Sequence, residues 1–256
     1  MPKFFKWDRF FGWLQGKGLM RANYRGDTIP TGAGAFFLTG SIITWIIFLI
    51  SGLGNPDIIV RLIFLISVIG AAGLIDDMLG EKDFQGFRGH FSRLFKGRIT
   101  TGAFKAIIAF ITVLLVIDKT PAWAVVIINL GLILLMTNLI NLLDLRPGRA
   151  LKFFLLFSLL LLLSLPSFLI YALPIYLLSL FYLPYELQGR VMLGDTGANL
   201  LGAFLGLGYS YGLSLPVKII LLALLILLNL LAEKYSFTRI ISGNRVLNWF
   251  DRLGQG

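Results

Sequence analysis

Long apolar runs separated by short polar stretches dominate this chain. The runs lack the two-residue alternation of barrel strands, and in hydrocarbon such a run satisfies its backbone hydrogen bonds as a helix. The pattern predicts an all-α, polytopic membrane helical bundle with about eight transmembrane helices. Several runs are shorter than the roughly 20 residues that a bilayer requires, so they must include flanking residues. The predicted spans are Ala35–Ser51, Ile58–Ile75, Ala103–Ile117, Ala122–Leu143, Leu151–Leu165, Phe168–Leu183, Ala198–Leu215 and Val217–Leu231.

The stretch Leu151–Leu183 allows two interpretations, and the distribution of basic residues favours one of them. It is either two short helices that turn at Pro166–Ser167 or one long kinked helix, which would invert the topology after it. With eight spans, only Arg61, Lys119 and Lys218 of the 23 lysines and arginines lie on one face. Because basic loops stay in the cytoplasm, we expect both termini to be cytoplasmic in a multi-pass protein of the plasma membrane.

Composition narrows the class of protein further. Hydrophobic residues make up 57% of the 256 residues and charged residues 14%, which excludes an ordinary water-soluble domain. The net charge of +10 follows from this topology, so we expect no nucleic-acid partner. The absence of cysteine and the single His90 exclude disulfides, thiolate metal sites and histidine-rich metal sites. We divide the chain into a basic interfacial segment (1–28), a transmembrane bundle (29–232) and a cytoplasmic C-terminal tail (233–256).

Polar clusters fall at helix ends on the predicted cytoplasmic face, which we call the motif face. In the first cluster, Thr31 and Gly32 precede the first span. Small residues let the backbone approach a ligand, and the first backbone amides of a helix attract anions. Close packing between helices would need the same small residues. In the second, Asp76 and Asp77 repel each other and oppose the dipole of the helix that they end. We expect a cation beside them; the alternative is a pair of solvated loop acids.

Two further clusters follow at the fourth and seventh spans. Asn138, Asn141 and Asp144 are three residues apart and share one helix face, where they could bind a polar ligand or form interhelical hydrogen bonds. Asp195 opens the seventh span, with Asn199 one turn later. Asp195 could be an ordinary N-cap. It could also hold a hard metal ion while neighbouring amides contact phosphate oxygens.

The four clusters together predict a metal and phosphate site. Oxygen-only ligands favour Mg²⁺, or Mn²⁺, over zinc. Lys105 lies just inside the third span, where it could bind phosphate or simply extend to the interface. Clustered basic residues suit a substrate that carries phosphates. Those nearest the paired acids are Lys82, Arg88, Arg93, Lys96, Arg98 and Lys105.

These four motifs, in this order, resemble the polyprenyl-phosphate N-acetylhexosamine-1-phosphate transferase family. Its members show Pro-Thr-x-Gly-Gly, Gly-x-x-Asp-Asp, Asn-x-x-Asn-x-x-Asp and Gly-Asp-Ser-Gly motifs, and the resemblance runs over roughly Tyr24–Gly206. It implies transfer of a sugar-1-phosphate from a UDP-(N-acetyl)hexosamine to a polyprenyl phosphate in cell-envelope polymer synthesis. The products are a polyprenyl-diphospho-sugar and UMP.

The resemblance also implies roles for individual residues. Asp76, Asp77 and Asp195 would be catalytic, with Asp195 and Asp76 as ligands of Mg²⁺. The substrate-binding residues would be Thr31, Gly32, Lys105, Asn138, Asn141, Asp144 and Asn199. The chain departs from the family at Pro147, where members carry a second aspartate, and at Met192, where members often carry an aromatic residue. It also lacks the family's histidine-rich last loop, so the resemblance does not identify the sugar.

Two other functions fit the same residues. A non-catalytic homologue could bind the lipid carrier or a nucleotide as a scaffold. A transporter would need its acids near the middle of the membrane, whereas these acids lie at helix ends. The sequence leaves open whether the chain forms a homodimer.

Overall fold

Helices make up most of the computed structural model, which describes residues 7–16, 19–22, 26–32, 34–79 and 101–255. Helix α1 precedes a short hairpin of strands β1 and β2, and ten further helices follow in the described ranges. The strands are Met20–Ala22 and Thr28–Pro30. The helices α1 to α11 are Trp7–Gly16, Gly34–Ser51, Pro56–Leu79, Thr101–Val116, Trp123–Leu143, Arg149–Ser164, Leu169–Leu187, Gly194–Gly212, Leu215–Lys234, Phe237–Gly243 and Arg245–Arg252.

Five of the helices in the described ranges are long and apolar enough to cross a membrane. They are Gly34–Ser51, Pro56–Met78, Trp123–Leu143, Pro166–Leu187 and Leu215–Lys234. Large apolar side chains on them are exposed, which suits contact with lipid. These helices agree with the expected helical membrane protein. The eight spans and the cytoplasmic termini stay predictions.

The ambiguous stretch contains two helices. Helix α6 ends at Ser164, a 3-10 turn covers Pro166–Phe168, and α7 begins at Leu169. Proline at the start of the turn cannot donate a hydrogen bond to the preceding helix, which favours the break after Ser164. This agrees with the two-helix interpretation.

Helix α8 lies at the centre of the bundle, where α2, α3, α5 and α6 contact it. Nearly every residue from Gly194 to Ser210 is buried. A Cβ atom added to Gly202 would lie 2.5 Å from the Thr137 Cα, and one added to Gly206 would lie 2.5 Å from the Ile133 Cα. These two glycines therefore let α5 pack against α8 at backbone distance, as small residues do in membrane bundles.

The two ends of the chain contain a β-hairpin and a contact between the tail and α6 that the apolar pattern did not predict. The strands pair antiparallel, with Arg21 opposite Ile29, so the N-terminal segment is not helical throughout. At the other end, α10 and α11 follow α9 directly. Arg149 donates to Asp251 through Nε at 2.7 Å and Nη2 at 2.8 Å, and Lys152 donates to the carbonyls of Phe250 and Leu253. These contacts fix α11 to the start of α6.

Candidate functional site

The C-terminus of α3 meets the N-terminus of α8 through Asp77. Its Oδ1 accepts a hydrogen bond from the Asp195 amide at 3.0 Å. Its Oδ2 accepts from the Thr196 amide at 3.0 Å and from the Thr196 hydroxyl at 2.7 Å. A helix N-terminus leaves its first amides without intrahelical partners and carries partial positive charge, so a buried carboxylate is stable there. Asp77 thus caps α8 from a neighbouring helix.

The two preceding amides also face carboxylates from other helices. The Gly194 amide lies near Asp144, at the end of α5, and the Leu193 amide lies near Glu186, near the end of α7, where each favours the charged form of the acid. Four successive amides at the start of α8 therefore face three buried acids. The sequence predicted that amides here would contact phosphate oxygens; in this structure the Asp195 and Thr196 amides already donate to Asp77.

Glycines allow this close arrangement. A Cβ atom on Gly73 would lie 2.6 Å from the Asp195 carbonyl oxygen, and one on Gly34 would lie 2.0 Å from the Gly197 amide nitrogen. Gly194 has a φ of +69°, and a Cβ atom on it would lie 2.7 Å from the Asp77 Oδ2. These three close contacts and the left-handed backbone of Gly194 require glycine.

Lys105 joins the two remaining acids of the site. Its Nζ lies 3.0 Å from the Asp76 Oδ2 and 2.8 Å from the Asp195 Oδ2. The three side chains retain only 16–20% exposure. The cation that the sequence predicted beside the paired acids is therefore Lys105, which has the carboxylates of α3 and α8 as partners rather than reaching the interface alone.

Arg21 completes the electrostatics at the end of α3. Its Nη2 donates to the Asp76 carbonyl at 3.0 Å and to the Asp77 carbonyl at 3.3 Å. A guanidinium beside the last carbonyls offsets the negative end of the helix dipole. The β1–β2 hairpin thus helps to stabilise two adjacent acids at a helix C-terminus, where they would otherwise be unfavourable.

Asp76 and Asp195 fit a hard divalent cation. One oxygen of each carboxylate accepts a hydrogen bond from the Lys105 ammonium, so the space between the two carboxylates already holds a cationic group. Mg²⁺ commonly binds one or two protein carboxylates and completes its shell with water and substrate phosphates. Within the described residues no group of three or more acids or histidines is placed to hold a metal, so the protein would supply two ligands here.

The predicted substrate-binding residues have different environments. Asn138 Nδ2 donates to the Asn229 Oδ1 of α9 at 2.6 Å, which is the interhelical alternative considered for it. Asn141 is half-buried. Thr31 and Asn199 are buried, and the Thr31 Oγ1 and Asn199 Nδ2 have no hydrogen-bond partner in the described part of the chain. Gly32 lies beside Asp77, with a φ of +70°.

Asp144 lines a small open cleft on the motif face. Burial raises the pKa of the Asp144 carboxyl, and the neighbouring acids, Glu186 foremost, raise it further. The cleft is lined by Ile29, Asp144, Leu145, Arg146, Pro147, Glu186 and Met192. This carboxyl group is thus available to a ligand in the cleft as well as to the start of α8.

Sequence reasoning missed Arg21, Glu186 and Asn229 as site residues. Glu186 carried a detectable signal, because it is an acid next to an apolar run on an otherwise uncharged helix. The sequence around Arg21 and Asn229 contains no signal, beyond the residue type itself, that these residues belong to the site. The predicted cations Lys82, Arg88, Arg93, Lys96 and Arg98 lie outside the described residues.

Comparison with other proteins adds nothing to this geometry. A scan against protein-family models finds no match, and a search of curated proteins also finds none.

Proposed function

We propose that the chain transfers a sugar-1-phosphate from a UDP-(N-acetyl)hexosamine to a polyprenyl phosphate at the cytoplasmic face of the plasma membrane. The observation that carries this proposal is Lys105 between Asp76 and Asp195 at the end of a membrane bundle. Two acids and one cation beside the lipid are what a reaction between two phosphates needs, because phosphoryl transfer depends mainly on positioning and on neutralised charge.

The reaction requires no proton removal from the acceptor. An oxygen of the polyprenyl phosphate forms a bond to the β-phosphorus of the UDP-sugar, and the bond from that phosphorus to the bridging oxygen breaks. UMP leaves with the bridging oxygen. Lys105 would neutralise the diphosphate as charge moves to the bridging oxygen, and Asp76 and Asp195 would hold Mg²⁺. When bound, Mg²⁺ would supply further neutralisation of the phosphate oxygens.

The other acids would position these groups. Asp77 fixes the start of α8, and therefore the backbone that carries Asp195. We assign Asp77 to positioning rather than to contact with substrate, because both of its oxygens already accept hydrogen bonds. The buried Thr31 Oγ1 and Asn199 Nδ2, which find no partner in the described ranges, would bind polar groups of the substrates.

A non-catalytic scaffold is the second candidate. It is favoured by the hydrogen bond between Asn138 and Asn229, which removes a predicted nucleotide contact. Such a protein would bind a nucleotide or the lipid carrier without transferring the sugar phosphate.

A labelling assay separates the two candidates. Membranes that contain the chain receive UDP-GlcNAc labelled with ³²P at the β-phosphate, undecaprenyl phosphate and Mg²⁺. We expect label in the lipid fraction with the wild type and at least a 100-fold loss with Asp195→Asn. Asp57→Asn is the matched control, because Asp57 lies at the opposite end of α3 and is exposed. Nucleotide binding without transfer from any UDP-sugar of a panel would favour the scaffold.

A further inference from the structure

Helix α11 carries exposed apolar side chains that the described part of the chain does not cover. Val246, Trp249 and Leu253 are 71%, 64% and 48% exposed. Leu253 directly follows the helix, and the three residues are three or four positions apart, so they lie on one face. Exposed apolar side chains that share one face often mark a contact with a partner. This face therefore needs an occupant.

Another side of α11 is bound to the bundle. Asp251 is five residues after Val246, which places it well away from the apolar face. Its carboxylate accepts hydrogen bonds from Arg149, and the Gln255 side chain donates to the Pro147 carbonyl at 2.8 Å. These contacts hold α11 in one orientation, so its apolar face is directed away from the bundle.

The helices that precede α11 indicate its depth. Helix α5 is long and apolar enough to cross a membrane and ends at Leu143, and Arg149, which binds α11, follows shortly after it. Helix α9 is another such helix; it ends at Lys234, and α10 and α11 come next. Both connections place α11 close to the end of a span. An apolar face at this depth can enter the surface of the bilayer, where tryptophan is a favoured side chain.

Two arginines lie along one edge of the apolar face. Arg245 and Arg252 are exposed and are seven residues apart, which is about two helical turns, so they share one side of α11. Within the described residues neither guanidinium has an ion-pair partner, because the neighbouring Asp251 binds Arg149. A guanidinium binds phosphate oxygens through its planar set of N–H donors. The edge of the apolar face is therefore suited to phosphate groups.

The charges favour a bilayer over a second copy of the chain as the occupant. A symmetric contact between two copies of this face would bring the arginines of both copies together, and like charges in an interface are unfavourable. An anionic bilayer supplies acyl chains for the apolar side chains and phosphates for the arginines.

We propose that the apolar face of α11 lies in the surface of the bilayer, where Arg245 and Arg252 bind the phosphate groups of anionic phospholipids. The contact with lipid acts in addition to the contact between Asp251 and Arg149, which orients the helix. It does not depend on the proposed transfer reaction, because none of the residues assigned to that reaction takes part in it.

A nitroxide label on a cysteine introduced at Val246 tests this inference, because the full chain has no other cysteine. In nanodiscs that contain phosphatidylglycerol, the label should be more accessible to molecular oxygen, which dissolves in lipid, than to a water-soluble nickel chelate. In nanodiscs of phosphatidylcholine alone, the ratio of oxygen to nickel accessibility should fall by about 3-fold or more, because each arginine near an anionic surface adds to membrane binding.

Two further variants show whether the arginines cause the effect of the lipid. In nanodiscs that contain phosphatidylglycerol, Arg245→Gln/Arg252→Gln should lower the accessibility ratio by a similar factor. The control Lys119→Gln/Arg190→Gln removes the same amount of charge at exposed positions outside α11 and should keep the wild-type ratio.

Three results would overturn the inference, and none of them bears on the transfer reaction. Greater accessibility to the nickel chelate in nanodiscs with phosphatidylglycerol would place Val246 in water. Protection from both reagents would show that a second copy of the chain covers the apolar face. An equal ratio in the two lipids, or an unchanged ratio in the arginine variant, would show that Arg245 and Arg252 do not bind anionic phospholipids.

Discussion

At the scale of single residues, the site depends on the contact between one ammonium group and two carboxylates. Lys105 lies within hydrogen-bond distance of Asp76 and Asp195, and all three side chains are largely buried. Removing one member of such a group leaves the others without compensation, which costs more than the net contribution of the group itself. The stability of the protein and its affinity for a cation are therefore linked at Lys105.

Lys105→Met should lower the free energy of unfolding by about 2 kcal/mol. Removing one partner of a fully buried ion pair costs ~3–5 kcal/mol, and the cost is smaller here because these side chains keep some exposure. Thermal unfolding in detergent measures this. Mg²⁺ should raise the Tm of Lys105→Met more than that of the wild type, because the ion then replaces the ammonium between two carboxylates. The control is the double variant Lys105→Met/Asp195→Asn, which lacks one of the two carboxylates and whose Tm should not change when Mg²⁺ is added. If Mg²⁺ leaves the Tm of Lys105→Met unchanged, the two carboxylates do not form a cation site.

The two adjacent acids show how far the sequence could predict this site. It predicted that Asp76 and Asp77 need positive charge, because the pair is unfavourable at a helix C-terminus. It could not predict that they have different partners, since neighbouring residues on a helix point in different directions. The structure places Asp77 against the amides of α8 and Asp76 against Lys105.

At the scale of helices, the contact between α3 and α8 determines where Asp195 lies. Gly73 is the point of closest approach, and a Cβ atom there would meet the backbone of Asp195 and Thr196. Gly73→Ala should destabilise the protein by about 1–3 kcal/mol, the usual cost of overpacking. Gly243→Ala is the control, because nothing lies within 4 Å of its added Cβ. Equal Tm values for the two variants would contradict the close approach.

The attachment of α11 to α6 should depend on pH. Burial alone would raise the pKa of the Asp251 carboxyl, but the hydrogen bonds and charge of Arg149 outweigh it and lower this pKa. A lowered pKa gives stability above the unfolded-state value of about 3.9 and loses it as the pH falls through the folded-state value. The contact should therefore be intact at neutral pH and weaken in acid below about pH 4.

Spin labelling can measure this attachment, because the chain contains no cysteine of its own. A label on a cysteine introduced at Val246, an exposed position of α11, should be immobile at pH 7 and become mobile as the pH falls below about 4. With Asp251→Asn it should be mobile at both pH values. Arg245→Gln, an exposed change on the same helix, should behave as the wild type. Immobility of the label in Asp251→Asn would show that other contacts hold α11.

The helices themselves were the predictable part of the fold. A long apolar run in a membrane satisfies its backbone hydrogen bonds as a helix. The predicted span Ala122–Leu143 therefore agrees closely with the observed helix Trp123–Leu143. Contacts between distant residues were not predictable. The resemblance places a second acid at the position of Pro147, whereas the structure brings the carboxylate of Glu186 to the same cleft from α7. Residue spacing along one helix carries no information about such a contact.

At the scale of the whole molecule, the orientation of the bundle decides which substrates can reach the site. We expect the motif face to be cytoplasmic, because almost all basic residues lie on it in the predicted topology. A single cysteine at Arg146, on the motif face, should be protected from an impermeant thiol reagent in intact cells. One at Lys119, on the other face, should react. The opposite labelling pattern would place the site outside and remove its access to UDP-sugars.

The central claim is that Asp76, Lys105 and Asp195 form the site of a transfer between two phosphates. Its most direct test uses purified protein in nanodiscs with polyprenyl phosphate, UDP-GlcNAc and Mg²⁺. Mass spectrometry then counts UMP and the lipid-linked sugar phosphate. We predict equal amounts of both products with the wild type and with Asp57→Asn, and neither with Asp195→Asn. Release of UMP without the lipid product, or undiminished lipid product from Asp195→Asn, would contradict the claim.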